Sequence, residues 1–213
     1  MTHQAGRASF QLRLHDESDP SIVVFFAGRG SCGPVVVDNY GGHFAKRQGL
    51  NILLVQPFLP NWYQGPVARA MPKVLRKLLG PFGPTTFVGA GMGAYGALLA
   101  AQAIPADRVI AIRPVSSLDP WRAPSFENRP REMKRLGTDI DPVLTHRARD
   151  YQVFADGGAT DGQAARFFLP ADRTHWHDAT DLPTDSSLPL TDERLLGLLV
   201  GPESGPERKS AAG

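Results

Sequence analysis

The chain has 213 residues, of which 42% are hydrophobic and 21% charged, with a formal net charge of +2. This is the composition of an ordinary globular protein, and the length suits a single domain. The balance of 23 basic and 21 acidic residues does not indicate a dedicated nucleic-acid binder. One cysteine, Cys32, excludes an internal disulfide and a cysteine-rich zinc module.

Neither the N-terminus of the chain nor its apolar middle indicates a membrane protein. Residues 1–7 contain no apolar signal segment, so we expect a cytoplasmic protein. The uncharged stretch 78–106 is interrupted by glycines and prolines, which favours buried core over a membrane span. We therefore expect no membrane and no nucleic-acid partner, while the oligomeric state is not indicated.

Short apolar segments alternate with helical patterns along the chain. Strands are predicted at 9–15, as an edge strand, and then at 22–27, 51–55, 85–89, 108–112 and 151–155. Helices are predicted at 71–79 with Pro72 in the first turn, at 92–103, and at 191–200 with Thr191 as N-cap. This alternation predicts an α/β fold, a three-layer sandwich with a mostly parallel central sheet.

The domain boundaries follow from where this alternation stops. We predict one domain over residues 8–200. The charged, proline-containing segment 121–150 is predicted to be a lid or helical excursion. The small and polar residues 201–213 are predicted to be a disordered tail.

The segment 85–104 carries the clearest motif. A buried strand leads into Gly89-Ala90-Gly91-Met92-Gly93 and directly on into a helix of small residues. This context is that of the nucleophile elbow G-x-S-x-G, and the segment resembles the α/β-hydrolase superfamily. The central position, which is Ser, Cys or Asp in that superfamily, is Gly91 here. We predict that the backbone turn is retained without its nucleophile, and the alternative is an engineered Ser-to-Gly change.

The resemblance also implies an acid and a histidine that follow the elbow in chain order. Asp161, in Gly158-x-x-Asp161, is the candidate acid, with Asp156 as second choice. The alternative role for Asp161 is to cap a following helix.

His177 is the candidate histidine, although it comes only 16 residues after Asp161 and the expected stretch 182–187 contains none. A surface or packing histidine is the alternative. His175 and His177 have a spacing that suits a metal ion, but no third ligand is evident and no metal is predicted.

The glycine-rich segment after strand 22–27 resembles the oxyanion loop by its position. Gly28, Arg29 and Gly30 are therefore candidate ligand-binding residues, and Met92 would provide the second backbone N–H donor. Backbone donors do not depend on a serine, so an anion-binding pocket is expected to survive its loss. The alternative is a glycine-rich turn with Arg29 facing solvent.

Aromatic and basic side chains follow two further strands. Trp62 and Tyr63 suit stacking on an apolar, sugar or aromatic ligand, or a structural wedge. Their pairing and the chain size resemble small bacterial α/β-hydrolase-like domains linked to surface polysaccharides. Arg113 suits an anionic ligand group, or an ion pair with Asp119 or Asp161.

No cofactor is predicted. The segment 28–33 matches G-x-G-x-x-G only as a string, because Pro34 and the β-branched residues after it disfavour a helix start. Cys32 is a candidate displaced nucleophile, but a small buried hydrophobe is favoured.

The sequence therefore predicts an α/β-hydrolase-like protein that binds a small molecule and is non-hydrolytic. It would catalyse acid–base chemistry of the isomerase, cyclase or lyase type, or serve as an accessory pseudoenzyme. The alternative is an esterase, acyltransferase or thioesterase inactivated at position 91.

Overall fold

A computed structural model describes residues 1–35, 40–115, 147–156, 169–182 and 190–200. The strands in these ranges are β1 (Thr2–Ala5), β2 (Ala8–Arg13), β3 (Ile22–Phe26), β4 (Ile52–Pro57), β5 (Thr85–Ala90), β6 (Arg108–Ile112), β7 (Asp150–Ala155) and β8 (Thr174–Asp178). The α-helices are α1 (Tyr40–Gln48), α2 (Pro66–Leu79), α3 (Met92–Ala103) and α4 (Asp192–Val200). None of the helices in these ranges is long and apolar enough to cross a membrane.

The strands form one eight-stranded sheet in the order β1-β2-β4-β3-β5-β6-β7-β8. The pairs β1–β2 and β2–β4 are antiparallel, and the other neighbouring pairs are parallel. This confirms the predicted α/β fold with a mostly parallel sheet. Strands β3 and β4 are buried at every residue, as their continuous apolar runs predict.

Apolar cores lie on both faces of the sheet. The larger core contains side chains of α2 and α3, including Leu75 and Leu98, packed with Phe87 of β5. The smaller core contains Phe44 of α1 and Leu195 of α4. The sheet is therefore the middle of three layers, with α2 and α3 on one side and α1 and α4 on the other.

The prediction that 9–15 forms the sheet edge is wrong. β1 pairs with β2 on its outer side, and the two strands are joined by Gly6 and Arg7, whose φ angles are +58° and +61°. Two such residues are typical of a tight hairpin turn. Three of the four residues of β1 are polar and none is buried, so no apolar pattern marked this strand.

The start of α2 also differs from the prediction. Pro66, not Pro72, lies in the first turn, and Pro72 lies inside the helix. The helix starts earlier because Val67 and Ala68 already face the core. By contrast, Thr191 is confirmed as an N-cap, since its Oγ1 accepts from the Arg194 N–H at 3.3 Å.

Three predictions lie outside the described residues. These are the lid at 121–150 except for its last four residues, the tail at 201–213, and Asp161 with the residues around it.

Candidate functional site

The turn between β5 and α3 places Gly91 at the carboxyl edge of the parallel strands. Gly91 has φ +52° and ψ −114°. Its N–H donates to the Ile112 carbonyl on β6 at 2.9 Å, and its own carbonyl accepts from the Tyr95 N–H in the first turn of α3 at 3.1 Å. This is a sharp strand-to-helix turn of the kind that forms a nucleophile elbow.

The three glycines of the elbow have different surroundings. A Cβ added to Gly89 would lie 2.2 Å from the carbonyl carbon of Gly93, and one added to Gly93 would lie 2.3 Å from the carbonyl oxygen of Phe26. A Cβ added to Gly91 would have no heavy atom within 4 Å. The outer two positions therefore require glycine, whereas the centre has room for a side chain.

The loop after β3 lies beside this turn. A Cβ at Gly28 would lie 3.8 Å from the Ala90 carbonyl oxygen, directly before the elbow centre. Arg29 and Gly30 are exposed in the short 3₁₀ turn that follows. Met92 begins α3 and is 2% exposed, and no side chain caps this helix start. The structure thus brings Gly28 and Met92 to the elbow and leaves Arg29 on the solvent side.

Arg113 joins the ends of three strands. It follows β6 with a left-handed φ of +45°. Its Nη2 donates to the carbonyl oxygens of Ala179 and Leu182, each at 2.7 Å, in the loop after β8. Its Nε lies 3.5 Å from Oδ2 of Asp156, which directly follows β7. The predicted partners of Arg113, Asp119 and Asp161, lie outside the described residues.

The Arg113–Asp156 pair occupies the region where the superfamily pattern expects the acid and the histidine. The acid follows β7 in that pattern, and the histidine follows β8. Asp156, the second-choice acid, here has a guanidinium neighbour, and residues 178–213 contain no histidine. Sequence reasoning missed this pair because it depends on which residues β6 and β7 place side by side.

His177 makes its contacts on β7 and not at the elbow. Its Nε2 lies 2.7 Å from Oε1 of Gln152, and its ring stacks on Phe154 with centroids 4.4 Å apart. Burial lowers the pKa of His177, the positive charges of Arg194 and His175 lower it further, and Asp150 opposes them.

The sheet register shows how far His177 is from Gly91. His177 is level with Phe154, Phe154 with Ile112, and Ile112 with Ala90. Three strand spacings of about 4.8 Å give a lateral separation of roughly 14 Å. This distance gives no support to the prediction that His177 is the catalytic base, and that role stays a prediction. Its contacts correspond to the alternative, a packing histidine.

Trp62 and Tyr63 lie in the core beneath the site. They are 6% and 0% exposed. Tyr63 Oη donates to the Ala27 carbonyl at 2.9 Å, and the Trp62 ring meets the Tyr95 ring edge-on at 6.0 Å. Burial raises the pKa of Tyr63 well above its usual value. This packing fits the alternative role, in which Trp62 and Tyr63 act as a structural wedge. It gives no support to the predicted stacking on a ligand.

Cys32 is half-buried and follows the 3₁₀ turn. Its Sγ donates to the Gly28 carbonyl at 3.7 Å. Desolvation raises the pKa of its thiol to about 11. This environment disfavours the thiolate that a displaced nucleophile would need.

Comparison with known proteins identifies the fold. No family model matches the chain, and no curated protein matches it in sequence. The capsule O-acetyltransferase of Neisseria meningitidis serogroup A, solved as a mutant in complex with CoA, matches with a TM-score of 0.58 and 10% identity over 83% of this chain and 86% of its own. A sugar hydrolase from Lactococcus lactis matches with a TM-score of 0.59 and 13% identity over 93% and 94%.

A third matching structure is described as an α/β serine hydrolase. An α/β serine hydrolase without a lid, from Xanthomonas campestris, matches with a TM-score of 0.52 and 14% identity over 84% of this chain and 81% of its own. The chain has the α/β-hydrolase fold. At these identities the α/β-hydrolase fold is what the likeness establishes, and function has to be argued from the site.

Proposed function

We propose that this chain is a non-hydrolytic α/β-hydrolase-fold protein that binds a small molecule at the carboxyl edge of its sheet. The observation that carries the proposal is Gly91, which keeps the elbow turn without a side chain. A covalent acyl intermediate needs a nucleophilic atom at this point, and glycine supplies none.

The Arg113–Asp156 pair supports the same conclusion. A serine nucleophile is activated by a histidine that a carboxylate orients. In this chain the carboxylate directly after β7 lies beside an arginine, which stays protonated at any physiological pH and cannot act as a base. The arginine is also held by two carbonyls of the loop after β8.

Backbone donors would bind the small molecule. The N–H groups at the start of α3, beginning with Met92, have no side-chain cap, and the loop 28–30 lies beside them. Such donors, together with the positive end of a helix dipole, favour a carbonyl or carboxylate oxygen. Arg113 would add positive potential. We therefore propose a ligand that carries an oxygen of this kind.

Binding without covalent chemistry fits the described residues better than acid–base catalysis. Asp156 lies 3.5 Å from the guanidinium of Arg113, and His177 lies roughly three strand spacings from the elbow. Acid–base chemistry of the isomerase, cyclase or lyase type would have to rest on residues outside the described ranges, such as Asp161.

One observation favours the alternative, a serine esterase, acyltransferase or thioesterase with its serine replaced. The open space at Gly91 would admit a serine side chain without displacing any neighbour. The matching hydrolase and acetyltransferase structures are consistent with that origin of the fold.

Hydrolysis of p-nitrophenyl acetate and butyrate by the wild-type protein, Gly91→Ser and Gly91→Ala separates the two proposals. We expect no turnover above the buffer rate from any of them, because Arg113 and not a histidine lies beside the carboxylate after β7. Gly91→Ala is the matched control, since it carries the same backbone strain without a hydroxyl. Turnover by Gly91→Ser alone would establish the alternative, and turnover by the wild type would overturn the proposal.

A further inference from the structure

A cavity of about 350 Å³ lies at the amino edge of the parallel strands. Its walls are the last turn of α2, the loop 80–84, the segment 104–107 before β6, and Arg149 just before β7. Thr85, the first residue of β5, also lines it, whereas Gly91 follows the other end of that strand. Roughly 20 Å of extended chain therefore separates this cavity from the elbow.

The side chains of two arginines are anchored at the cavity. Nη1 of Arg149 lies 3.1 Å from Oδ1 of Asp107, whose Oδ2 accepts the Thr85 N–H at 2.9 Å. Nη2 of Arg76 donates to the Ala103 carbonyl at the end of α3, at 3.4 Å. A guanidinium group has five N–H donors, so each arginine has further donors for a ligand.

The lining of the cavity is net positive. Its charged residues, among those that the structure describes, are Arg76, Arg149 and Asp107. The helices do not offset this charge, because residues 39–106, which include α2 and α3, contain no aspartate or glutamate. Guanidinium groups in excess favour an anion, and their planar fork suits a carboxylate. Because Asp107 repels added negative charge, a singly charged carboxylate suits this lining better than a phosphate dianion does.

Most of the remaining lining is apolar. Leu79, Ile104 and Ala106 are 6%, 7% and 3% exposed. Phe82 is partly buried and packs against the larger core. Apolar walls with a few charged groups are typical of small-molecule sites, whose volumes begin at about 300 Å³. The lining therefore fits a ligand with an apolar body and one charged end.

We propose that this cavity binds a small organic carboxylate with an aromatic or alkyl body. Arg76 and Arg149 bind the carboxylate, and Asp107 holds Arg149 in place for that contact. The body of the ligand packs on Phe82 and Ile104. This site does not depend on the function proposed for the elbow, since it lies at the opposite edge of the sheet.

A titration of the full chain with 4-phenylbutyrate, followed by ¹⁵N–¹H NMR, tests the proposal. We expect saturable shifts of the amide signals of Gly80, Gly83 and Asp107. The amides of Gly91 and Met92 report binding at the elbow separately. 4-Phenylbutan-1-ol, which has the same body without the charge, should bind about tenfold more weakly. Shifts at the elbow alone, or no saturable shift at the cavity up to about 10 mM, would overturn the proposal.

Charge-removing variants show whether the cavity itself holds the ligand. Arg76→Gln and Arg149→Gln should each weaken 4-phenylbutyrate binding about tenfold. Lys73→Gln is the matched control, because Lys73 is exposed on α2 but does not line the cavity, and its affinity should change less than about twofold. An equal loss in Lys73→Gln and Arg76→Gln would mean that the charge of α2 as a whole attracts the anion, and the proposal would be wrong. All three side chains are exposed, so these variants are expected to fold.

Discussion

Gly91 differs from the glycines on either side of it in what a side chain would meet. Gly89 and Gly93 approach backbone atoms so closely that a Cβ would overlap them, and only Gly91 faces open space. Packing therefore restricts positions 89 and 93 to glycine, whereas at position 91 only the positive φ angle disfavours a side chain. The glycine spacing and the flanking strand and helix are local in the chain, which is why the sequence alone predicts this turn.

Alanine at positions 91 and 93 should separate these two constraints. Gly93→Ala should lower the free energy of unfolding by about 3 kcal/mol, because the backbone of β3 would have to move. Gly91→Ala should lower it by only about 1–2 kcal/mol, the cost of a positive φ. Urea denaturation measures both, with Gly197→Ala as a control that should be neutral or stabilising. Equal losses at positions 91 and 93 would contradict the packing argument.

Cys32 should behave as an inert thiol. Because burial raises its pKa to about 11, the thiolate fraction at pH 8 is small and grows as the pH rises towards that value. We expect the folded protein to be alkylated slowly by iodoacetamide at pH 7–8, with a rate that rises about tenfold per pH unit. In about 8 M urea, which unfolds small domains, the thiol should react at the ordinary rate of a free cysteine. Fast labelling of the folded protein at pH 7 would show instead an activated cysteine.

At the scale of secondary-structure elements, Arg113 connects the ends of β6 and β7 with the loop after β8. Its guanidinium donates to two carbonyls and neighbours Asp156, and its side chain is 22% exposed. A charged donor shared by several acceptors at a partly buried point stabilises more than a surface ion pair does.

Replacing Arg113 should therefore cost more than replacing an exposed arginine. Arg113→Ala should lower the free energy of unfolding by about 2 kcal/mol. The matched control is Arg47→Ala, whose bidentate pair with Asp192 joins α1 to α4 at the surface with 52% of the arginine exposed. That variant should lose about 0.5 kcal/mol. If thermal and urea melts give equal losses, the connecting role of Arg113 is wrong.

The elements themselves were predictable where their apolar pattern was strong. The buried runs of β3 to β7 and the small-residue helix α3 are visible in the sequence because the central strands are covered on both faces. β1 and α1 carry weak patterns, and neither was predicted. The Arg113–Asp156 pair could not be predicted, since its partners lie 43 positions apart and meet only through the β6–β7 register.

At the scale of the whole molecule, the strand order determines which side chains lie together at the carboxyl edge of the sheet. The order of the sheet brings the elbow after β5, Arg113 after β6 and Asp156 after β7 to one edge, which is where open parallel sheets bind ligands. The same order places the two histidines of β8 on the outermost strand, three strands from the elbow, beside α4. The chain thus has the α/β-hydrolase fold, while Arg113, Asp156 and His177 make contacts with neighbouring strands and loops.

The most direct test of this account is labelling of Gly91→Ser by a fluorophosphonate, read by intact mass. We expect no adduct beyond that of Gly91→Ala, because Arg113 rather than histidine lies beside the carboxylate after β7. A commercial serine esterase labelled in parallel shows that the reagent is active. A stoichiometric adduct on the serine variant would show that a base is retained, and would identify the chain as a hydrolase disabled at one position.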